Sequence, residues 1–141
     1  MSNDIVSRAK ALAYRAHEGQ VDKAGRPYME HVARVAAAVS DDPVAEAVAW
    51  LHDVLEDCPA YEKHVYSFPG EVFGEVEALS RNCYADHNNY YPMIRESSIA
   101  TRVKLADIAD NSSEERLALL DGKTASRLRR KYAKAIAALT E

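Results

Sequence analysis

The chain has 141 residues, of which 28% are charged, and its formal net charge at pH 7 is −4. This length fits one domain, so we expect residues 1–141 to form a single domain with its own core. The acidic balance lacks the basic stripe that nucleic-acid polymers require, and no stretch approaches the roughly 20 apolar residues of a membrane span. Cys58 and Cys83 have no CxxC spacing, which favours a reducing compartment. We therefore expect a cytoplasmic protein without nucleic-acid or membrane partners.

Apolar residues recur with a helical period along nearly the whole chain, which predicts an all-α fold. The first two apolar stripes cover residues 5–16 and 32–39. Between them, residues 19–28 contain two glycines and a proline, so this segment is expected to be a loop that ends the first helix and leads into the second.

A third helix is predicted from Pro43 to Asp57. Asp42 is a good N-cap residue, and a proline fits the first helical position that follows it. The helix is expected to end before Pro59. Its sequence is apolar around most of its circumference, as is typical of a central helix that is buried on several sides. Charged residues near its end would be costly to bury there unless they were coordinated.

Shorter elements are predicted for the second half of the chain. In chain order they are a loop over 58–69, a short helix over 70–79, an aperiodic segment over 81–89, a helical segment over 90–100 broken by Pro92, a helix over 99–111 and a closing amphipathic helix over 124–139. A helix start is expected near Ser112, and Asp121 with Gly122 is expected to mark a stop. The basic residues of the last helix are expected to form a solvated face.

A metal site is predicted from His31, His52, Asp53 and Asp107. Adjacent helical residues point about 100° apart, so His52 and Asp53 can hold one cation only from the side between them. Other helices must then supply the remaining ligands, and His31 and Asp107 are the natural donors. A nitrogen and oxygen donor set without a thiolate suits Mn²⁺, with Fe²⁺, Co²⁺, Zn²⁺ and Ni²⁺ as competitors.

Further polar residues could act on a phosphorylated substrate at this metal. Glu56 and Asp57 follow the His52-Asp53 pair by one turn and are predicted to orient or deprotonate an attacking water, or to protonate the leaving oxygen. The residues predicted to hold phosphates are Lys23, Arg26, Arg81 and Lys104. Asn111 shares a helix face with Asp107 and can point at the same site.

The remaining histidines and two tyrosines have other expected roles. His17, His64 and His87 are expected to be surface or capping residues, since an isolated histidine is seldom a ligand. Tyr90 and Tyr91 fit either of two roles, because an aromatic ring can stack on a nucleobase or pack in the core.

Five strings of this chain resemble the hydrolase domain of the Rel/Spo alarmone enzymes, and most of all its free-standing small alarmone hydrolases. They are AHEGQ at 16–20, GRPY at 25–28 with His31, LHDVLED at 51–57, ALSR at 78–81, and VKLAD at 103–107 with Asn111. They follow the family's order from about residue 3 to residue 139. The resemblance implies an all-α HD-domain helical bundle that hydrolyses the 3′-pyrophosphate of guanosine tetra- or pentaphosphate, (p)ppGpp, to GDP or GTP and pyrophosphate.

The resemblance also implies roles for individual residues. Mn²⁺ would be held by the four ligands named above, and Glu56 with Asp57 would be the catalytic acidic pair. Asn111 and Lys23 would lie on the substrate side. Where the family usually has an arginine before this lysine, the present chain has Asp22, which replaces a cation with an anion near the expected nucleotide.

Two alternatives stay open at the level of sequence. The same site could serve an HD-domain phosphatase that acts on another nucleotide or phosphorylated cofactor, and Asp22 favours this reading. The chain could also be a non-catalytic helical domain that binds a nucleotide or a protein partner. The reaction product separates the two enzymes, because the first releases pyrophosphate and the second releases orthophosphate from a monoester.

Overall fold

A computed structural model describes the backbone of residues 2–141 and the side chains of residues 4–141. The helices are α1 (Ser2–Ala16), α2 (Tyr28–Ala38), α3 (Pro43–Leu51), α4 (Val54–Asp57), α5 (Glu62–Tyr66), α6 (Gly70–Ala78), α7 (Tyr90–Arg95), α8 (Ser98–Asn111), α9 (Glu114–Leu117) and α10 (Gly122–Leu139). Within residues 2–141 there is no strand, and the one β-type pairing is an isolated antiparallel bridge between Val21 and Pro27. The all-α prediction is confirmed. None of the helices described is both long and apolar enough to cross a membrane.

Helix α3 is the centre of the core, since it packs against α1, α2, α6 and α8. Its buried side chains are Ala45, Ala47, Val48, Ala49, Trp50 and Leu51. The helix begins as predicted, because the Asp42 carboxylate accepts hydrogen bonds from the backbone N–H groups of Val44 and Ala45 at 3.0 and 3.3 Å. Small alanine side chains let neighbouring helices approach closely, and the residues that follow α3 are therefore held deep inside the fold.

The prediction of one continuous helix over residues 43–57 is wrong at residues 52 and 53. Helix α3 ends at Leu51, and α4 resumes only at Val54. Between them Asp53 adopts φ −106° and ψ −1°, outside the usual helical region. This turn brings the Asp53 carboxylate to within 3.1 Å of the His52 imidazole, whereas a regular helix would direct the two side chains about 100° apart.

The predictions over residues 58–69 and 90–100 are also wrong. The predicted loop over 58–69 contains α5, which buries Val65 completely. Pro92 does not break the segment after residue 90, because it lies in the first turn of α7, where its missing N–H costs no intrahelical hydrogen bond. The break comes at Ser97, whose hydroxyl caps α8 by accepting from the Ala100 N–H at 3.1 Å.

Asp121 starts a helix and does not end one. Its carboxylate accepts a hydrogen bond from the Thr124 N–H at 2.9 Å, which is the usual role of an N-cap aspartate. Helix α10 accordingly begins at Gly122, two residues before the predicted start. The helices predicted over 70–79 and 99–111 agree with α6 and α8 to within one residue at each end.

Replacing Leu51 by alanine should destabilise the protein, because Leu51 is fully buried at the end of the central helix. Core Leu→Ala substitutions typically reduce the free energy of unfolding by about 2–5 kcal/mol. Urea denaturation followed by circular dichroism measures the change. The matched control is Ile136→Ala, since Ile136 is 41% exposed and should change stability by only about 0.5 kcal/mol or less. Equal effects of the two substitutions would contradict this assignment of the core.

Candidate metal centre

Four side chains from three parts of the fold meet at one point. His31 comes from α2, Asp107 from α8, and His52 with Asp53 from the turn after α3. One ligand atom from each lies within 4.8 Å of all the others. His31 Nε2 is 2.9 Å from Asp107 Oδ1, and His52 Nε2 is 3.4 Å from the same oxygen. The structure therefore brings together all the residues that the sequence predicts as metal ligands.

The hydrogen bonds of the two histidines leave their Nε2 atoms directed at this point. His52 Nδ1 donates to the Ala49 carbonyl oxygen at 2.6 Å. His31 Nδ1 donates to the Asp110 carboxylate at 2.6 Å, because an ionised carboxylate can only accept. Among the described residues, His52 Nε2 is buried without a hydrogen-bond partner. This pattern, with Nδ1–H held from outside and Nε2 facing inward, is that of metal-ligating histidines.

The electrostatics of the cluster also fit a cation. Burial alone would raise the pKa of Asp107, but the adjacent imidazoles of His31 and His52 and the ammonium of Lys104 outweigh burial and hold the pKa well below its usual value. Burial alone would lower the pKa of His52, yet Asp53 and Asp107 raise it well above its usual value. Positive charge next to these carboxylates therefore stabilises the site. A divalent ion provides that charge, and imidazole nitrogen with carboxylate oxygen is a donor set that Mn²⁺, Fe²⁺, Co²⁺, Ni²⁺ and Zn²⁺ accept.

The sequence analysis missed Asp110, which orients the His31 ring through Nδ1, on the side opposite the candidate metal centre. Its carboxylate accepts the His31 Nδ1–H and also hydrogen bonds from Arg34 Nε at 2.6 Å and Arg116 Nη1 at 2.9 Å. Burial disfavours its ionised form, but the bonds from His31 and Arg34 lower the pKa of Asp110 to about 2. Asp110 lies three residues after Asp107 on the same helix face, and this spacing is the sequence signal that could have identified it as part of the site.

A cleft of about 210 Å³ opens on the carboxylate side of the cluster, and both predicted acidic residues line it beside Asp53 and Asp107. Glu56 accepts a hydrogen bond from the Arg81 backbone N–H. Asp57 accepts one from Gln20 Nε2 at 3.1 Å. Burial is the main cause that raises the pKa of Glu56 and of Asp57. Both carboxyl groups are thus placed next to the candidate metal centre and have an increased tendency to hold a proton.

The residues predicted to hold phosphates do not all reach this cleft. Arg81, Lys104 and Asn111 line it, and Lys104 Nζ donates to Asp107 Oδ2 at 3.1 Å. Lys23 lines an adjoining compartment of about 280 Å³. Arg26 lines a third cavity, which shares Arg116 and Leu119 with that compartment but no residue with the cleft, so the structure does not place Arg26 at the cleft.

The adjoining compartment differs from the cleft in its chemistry. It shares Tyr28, Asn111 and Tyr132 with the cleft, so the two spaces are neighbours. Its apolar lining residues include Leu119, Leu120 and Leu128. Tyr132 and Lys131 of α10 also line the polar cleft. The sequence analysis missed both because it treated the last helix as a solvated face.

Asp22 does not present a free negative charge to this compartment. Its carboxylate accepts hydrogen bonds from the backbone N–H groups of Ala24 and Arg26 at 2.9 and 3.0 Å. It also forms an ion pair with Arg116 Nη2 at 2.9 Å. Burial opposes its ionisation, but these hydrogen bonds outweigh burial and lower the pKa of Asp22. The Asp22 carboxylate is therefore neutralised by a guanidinium from another part of the fold.

His17 is buried, so its prediction as a surface or capping residue is wrong. Its Nδ1 lies 2.8 Å from Gln20 Oε1, and because an amide oxygen only accepts, His17 is the donor. Gln20 in turn donates to Asp57, so His17 helps to fix the orientation of that carboxylate. His64 and His87 are exposed, in line with the prediction.

Of the two tyrosines with open assignments, Tyr90 belongs to the core and Tyr91 to the cleft. Tyr90 is 1% exposed and donates to the Leu79 carbonyl oxygen at 2.9 Å. The Tyr91 hydroxyl accepts a hydrogen bond from Arg81 Nη2 at 3.0 Å, and its ring lines the cleft.

Asp110→Asn should weaken metal binding, because the amide no longer provides the carboxylate that orients His31 and increases its basicity. Loss of such an outer partner typically costs about 10–100-fold in metal affinity. Isothermal titration with Mn²⁺ measures this affinity. Asp41→Asn removes the same charge at a side chain that is 73% exposed and paired with Arg102, and it should leave the affinity unchanged. Equal affinities of the Asp110 variant and the native protein would contradict the assigned role.

Comparison with known proteins identifies relatives along most of the chain. The sequence is 30% identical over 125 residues to a guanosine-3′,5′-bis(diphosphate) 3′-pyrophosphohydrolase of Vibrio cholerae, covering 80% of this chain and 18% of that protein. It is 31% identical over 121 residues to the bifunctional (p)ppGpp synthase/hydrolase SpoT of Escherichia coli, covering 77% of this chain and 17% of SpoT. A GTP pyrophosphokinase of Myxococcus xanthus is 32% identical over 82 residues, which are 55% of this chain and 11% of that protein.

No family model matches the chain. The chain spans less than a fifth of the length of the curated relatives above. Its all-helical architecture is consistent with the HD-domain fold of the hydrolases among them. The chain is thus a homologue of the hydrolase region of the SpoT/Rel (p)ppGpp synthase/hydrolases.

Proposed function

We propose that this chain is a metal-dependent phosphohydrolase that removes pyrophosphate from the 3′ position of (p)ppGpp. The observation that carries the proposal is the convergence of two imidazoles and two carboxylates on one point, next to a cleft that also contains Glu56 and Asp57. Homology to proteins named as (p)ppGpp hydrolases supports the substrate. Mn²⁺ is the proposed ion.

The two neighbouring compartments support a nucleotide substrate. A nucleotide has a charged phosphate part and a flat, uncharged base whose faces can stack on apolar side chains. The cleft at the metal centre is polar, whereas the adjoining compartment has leucines among its lining residues. Tyr28, Asn111 and Tyr132 border both spaces, so a ligand that fills both spaces lies against these side chains. We assign the phosphates to the polar cleft and the base to the adjoining compartment.

When bound, the divalent ion would lower the pKa of a water and neutralise charge on a phosphoryl oxygen. The protein residues supply the remaining steps. Glu56 and Asp57 face the cleft, so one of them accepts a proton from the attacking water and the other can donate one to the leaving 3′ oxygen. Burial raises the pKa of both carboxyl groups, so each holds a proton more readily than a carboxyl group in water.

Cations in the cleft bind the phosphates and hold them in line for attack. Lys104 lies beside Asp107, and although burial disfavours its ammonium, the Asp107 carboxylate raises its pKa, so it stays charged. The Arg81 guanidinium is fixed by its hydrogen bond to Tyr91 and by stacking over Tyr90, 4.1 Å from that ring's centroid. Preorganised cations of this kind bind a developing negative charge without a large reorganisation cost.

The substrate assignment is tested by incubating the Mn²⁺-loaded protein with ppGpp and separating the products. We expect GDP and pyrophosphate in equal amounts. Simple nucleoside 3′-monophosphates and 5′-monophosphates should be poor substrates. Release of orthophosphate from a monoester, with ppGpp left intact, would instead favour the HD-domain phosphatase that acts on another nucleotide or phosphorylated cofactor.

Two substitutions should separate metal binding from turnover. Asp53→Ala removes a ligand, so the variant should lose both Mn²⁺ binding and activity. Glu56→Gln keeps an oxygen that can accept from the Arg81 N–H, so it should retain Mn²⁺, but kcat should fall by about 10²–10⁴-fold because proton transfer is lost. Metal titration and steady-state kinetics on both variants provide the measurements. Normal turnover in Glu56→Gln would remove this residue from the scheme.

A further inference from the structure

The Tyr28 hydroxyl contacts one of the candidate metal ligands directly. It donates a hydrogen bond to Asp53 Oδ2, because an ionised carboxylate can only accept. The other polar side-chain group next to this oxygen, among the described residues, is His52 Nε2 at 3.1 Å. An imidazole nitrogen that binds a cation through its lone pair carries no proton to donate. With His52 acting as a ligand, Tyr28 is therefore the donor that remains for Asp53.

Each of the other three candidate ligands is held by a partner outside the metal centre. The partners are Asp110 for His31, the Ala49 carbonyl oxygen for His52, and Lys104 with Asn111 for Asp107. Outer partners of this kind fix the orientation of metal ligands. Tyr28 provides such a partner for Asp53, so all four candidate ligands are held in the same way.

The ring and the backbone of Tyr28 are both fixed by the fold. Its ring centroid lies 5.1 Å from that of His17 and 5.5 Å from that of His31, so the ring packs against two imidazoles. Its backbone N–H donates to the Gln20 carbonyl oxygen at 2.9 Å. Tyr28 is also the first residue of α2, three residues before His31 and on the same helix face. The hydroxyl is therefore preorganised for its contact with Asp53.

Packing alone does not account for the Tyr28 hydroxyl. A phenylalanine ring would fill the same space between His17 and His31 without placing a polar group there. A half-buried hydroxyl is stable only when it has a hydrogen-bond partner, and the partner here is a candidate metal ligand. Tyr28 and Asp53 both line the cleft, so this contact lies where the metal centre faces the space for a ligand.

We propose that Tyr28 is a positioning residue of the metal centre, whose hydroxyl holds the Asp53 carboxylate in the orientation that binds a divalent cation. Tyr28 acts through Asp53 and does not itself bind the ion. The inference goes beyond the proposed function, since it concerns the metal centre and holds for any substrate of that centre. Its tests therefore need no substrate.

The first test is titration calorimetry of the Tyr28→Phe variant with Mn²⁺. This substitution removes only the hydroxyl and keeps the ring, and it should weaken Mn²⁺ binding about 10-fold, as is typical when an outer partner of a ligand is lost. The matched control is Tyr66→Phe, which also removes a tyrosine hydroxyl bonded to a carboxylate, that of Glu77 at 2.8 Å. Neither Tyr66 nor Glu77 lines the cleft, so this variant should bind Mn²⁺ like the native protein.

Two further measurements separate positioning of Asp53 from a general structural role. At saturating Co²⁺, the visible absorption bands of the ion report the arrangement of its ligands, and they should differ from the native bands in Tyr28→Phe but not in Tyr66→Phe. Replacing Tyr28 by 4-aminophenylalanine keeps a donor at the same ring position, so this variant should fold and bind Mn²⁺ within about twofold of the native protein, because the hydrogen bond to Asp53 is restored.

Three results would overturn the inference. They are native Mn²⁺ affinity in Tyr28→Phe, native Co²⁺ bands in a Tyr28→Phe variant that binds more weakly, and failure of 4-aminophenylalanine to restore Mn²⁺ binding. Absence of Mn²⁺ binding by the native protein would overturn it as well.

Discussion

The convergence of two carboxylates and two imidazoles at one point of a helical core is the constraint on which the rest of this structure depends. Charged groups removed from water are stable only when their charge is compensated nearby. Here the carboxylates are Asp53 and Asp107, and positive charge must balance them. The turn formed by His52 and Asp53 after α3 makes this arrangement possible, because it directs these two adjacent side chains at the same point. A regular helix at this position would direct the two side chains about 100° apart.

A ring of hydrogen bonds outside the ligands holds this arrangement in place. Asp110 fixes His31, and Arg116 connects Asp110 to Asn111 and to Asp22 in the loop before α2. The guanidinium therefore couples the metal centre to the wall of the adjoining compartment. Gly19 and Gly25 sit in the same loop with φ of 80° and 82°, a backbone region that favours glycine. The loop that borders the candidate substrate space is thus shaped by backbone geometry and by one partly buried ion pair.

The sequence predicted the long helices and the ligand set because both depend on local signals. Helical periodicity located α1, α2 and α8, and the ligand-type residues His52 and Asp53 stand next to each other. The sequence did not predict the turn at Asp53, since no glycine or proline marks it and the contacts that stabilise it come from distant residues. Asp110 and Lys131 were missed for a related reason. From the sequence alone, a charged residue on the polar face of a helix is expected to be solvated. Only the tertiary structure shows which groups lie next to it.

The central claim is that one divalent cation is shared by α2, α8 and the turn after α3. Anomalous diffraction from crystals of the Mn²⁺-loaded protein tests it most directly. We expect a single strong peak about 2.0–2.3 Å from Nε2 of His31 and of His52 and from one carboxylate oxygen each of Asp53 and Asp107. A peak elsewhere in the molecule, or none at this point at saturating Mn²⁺, would contradict the account.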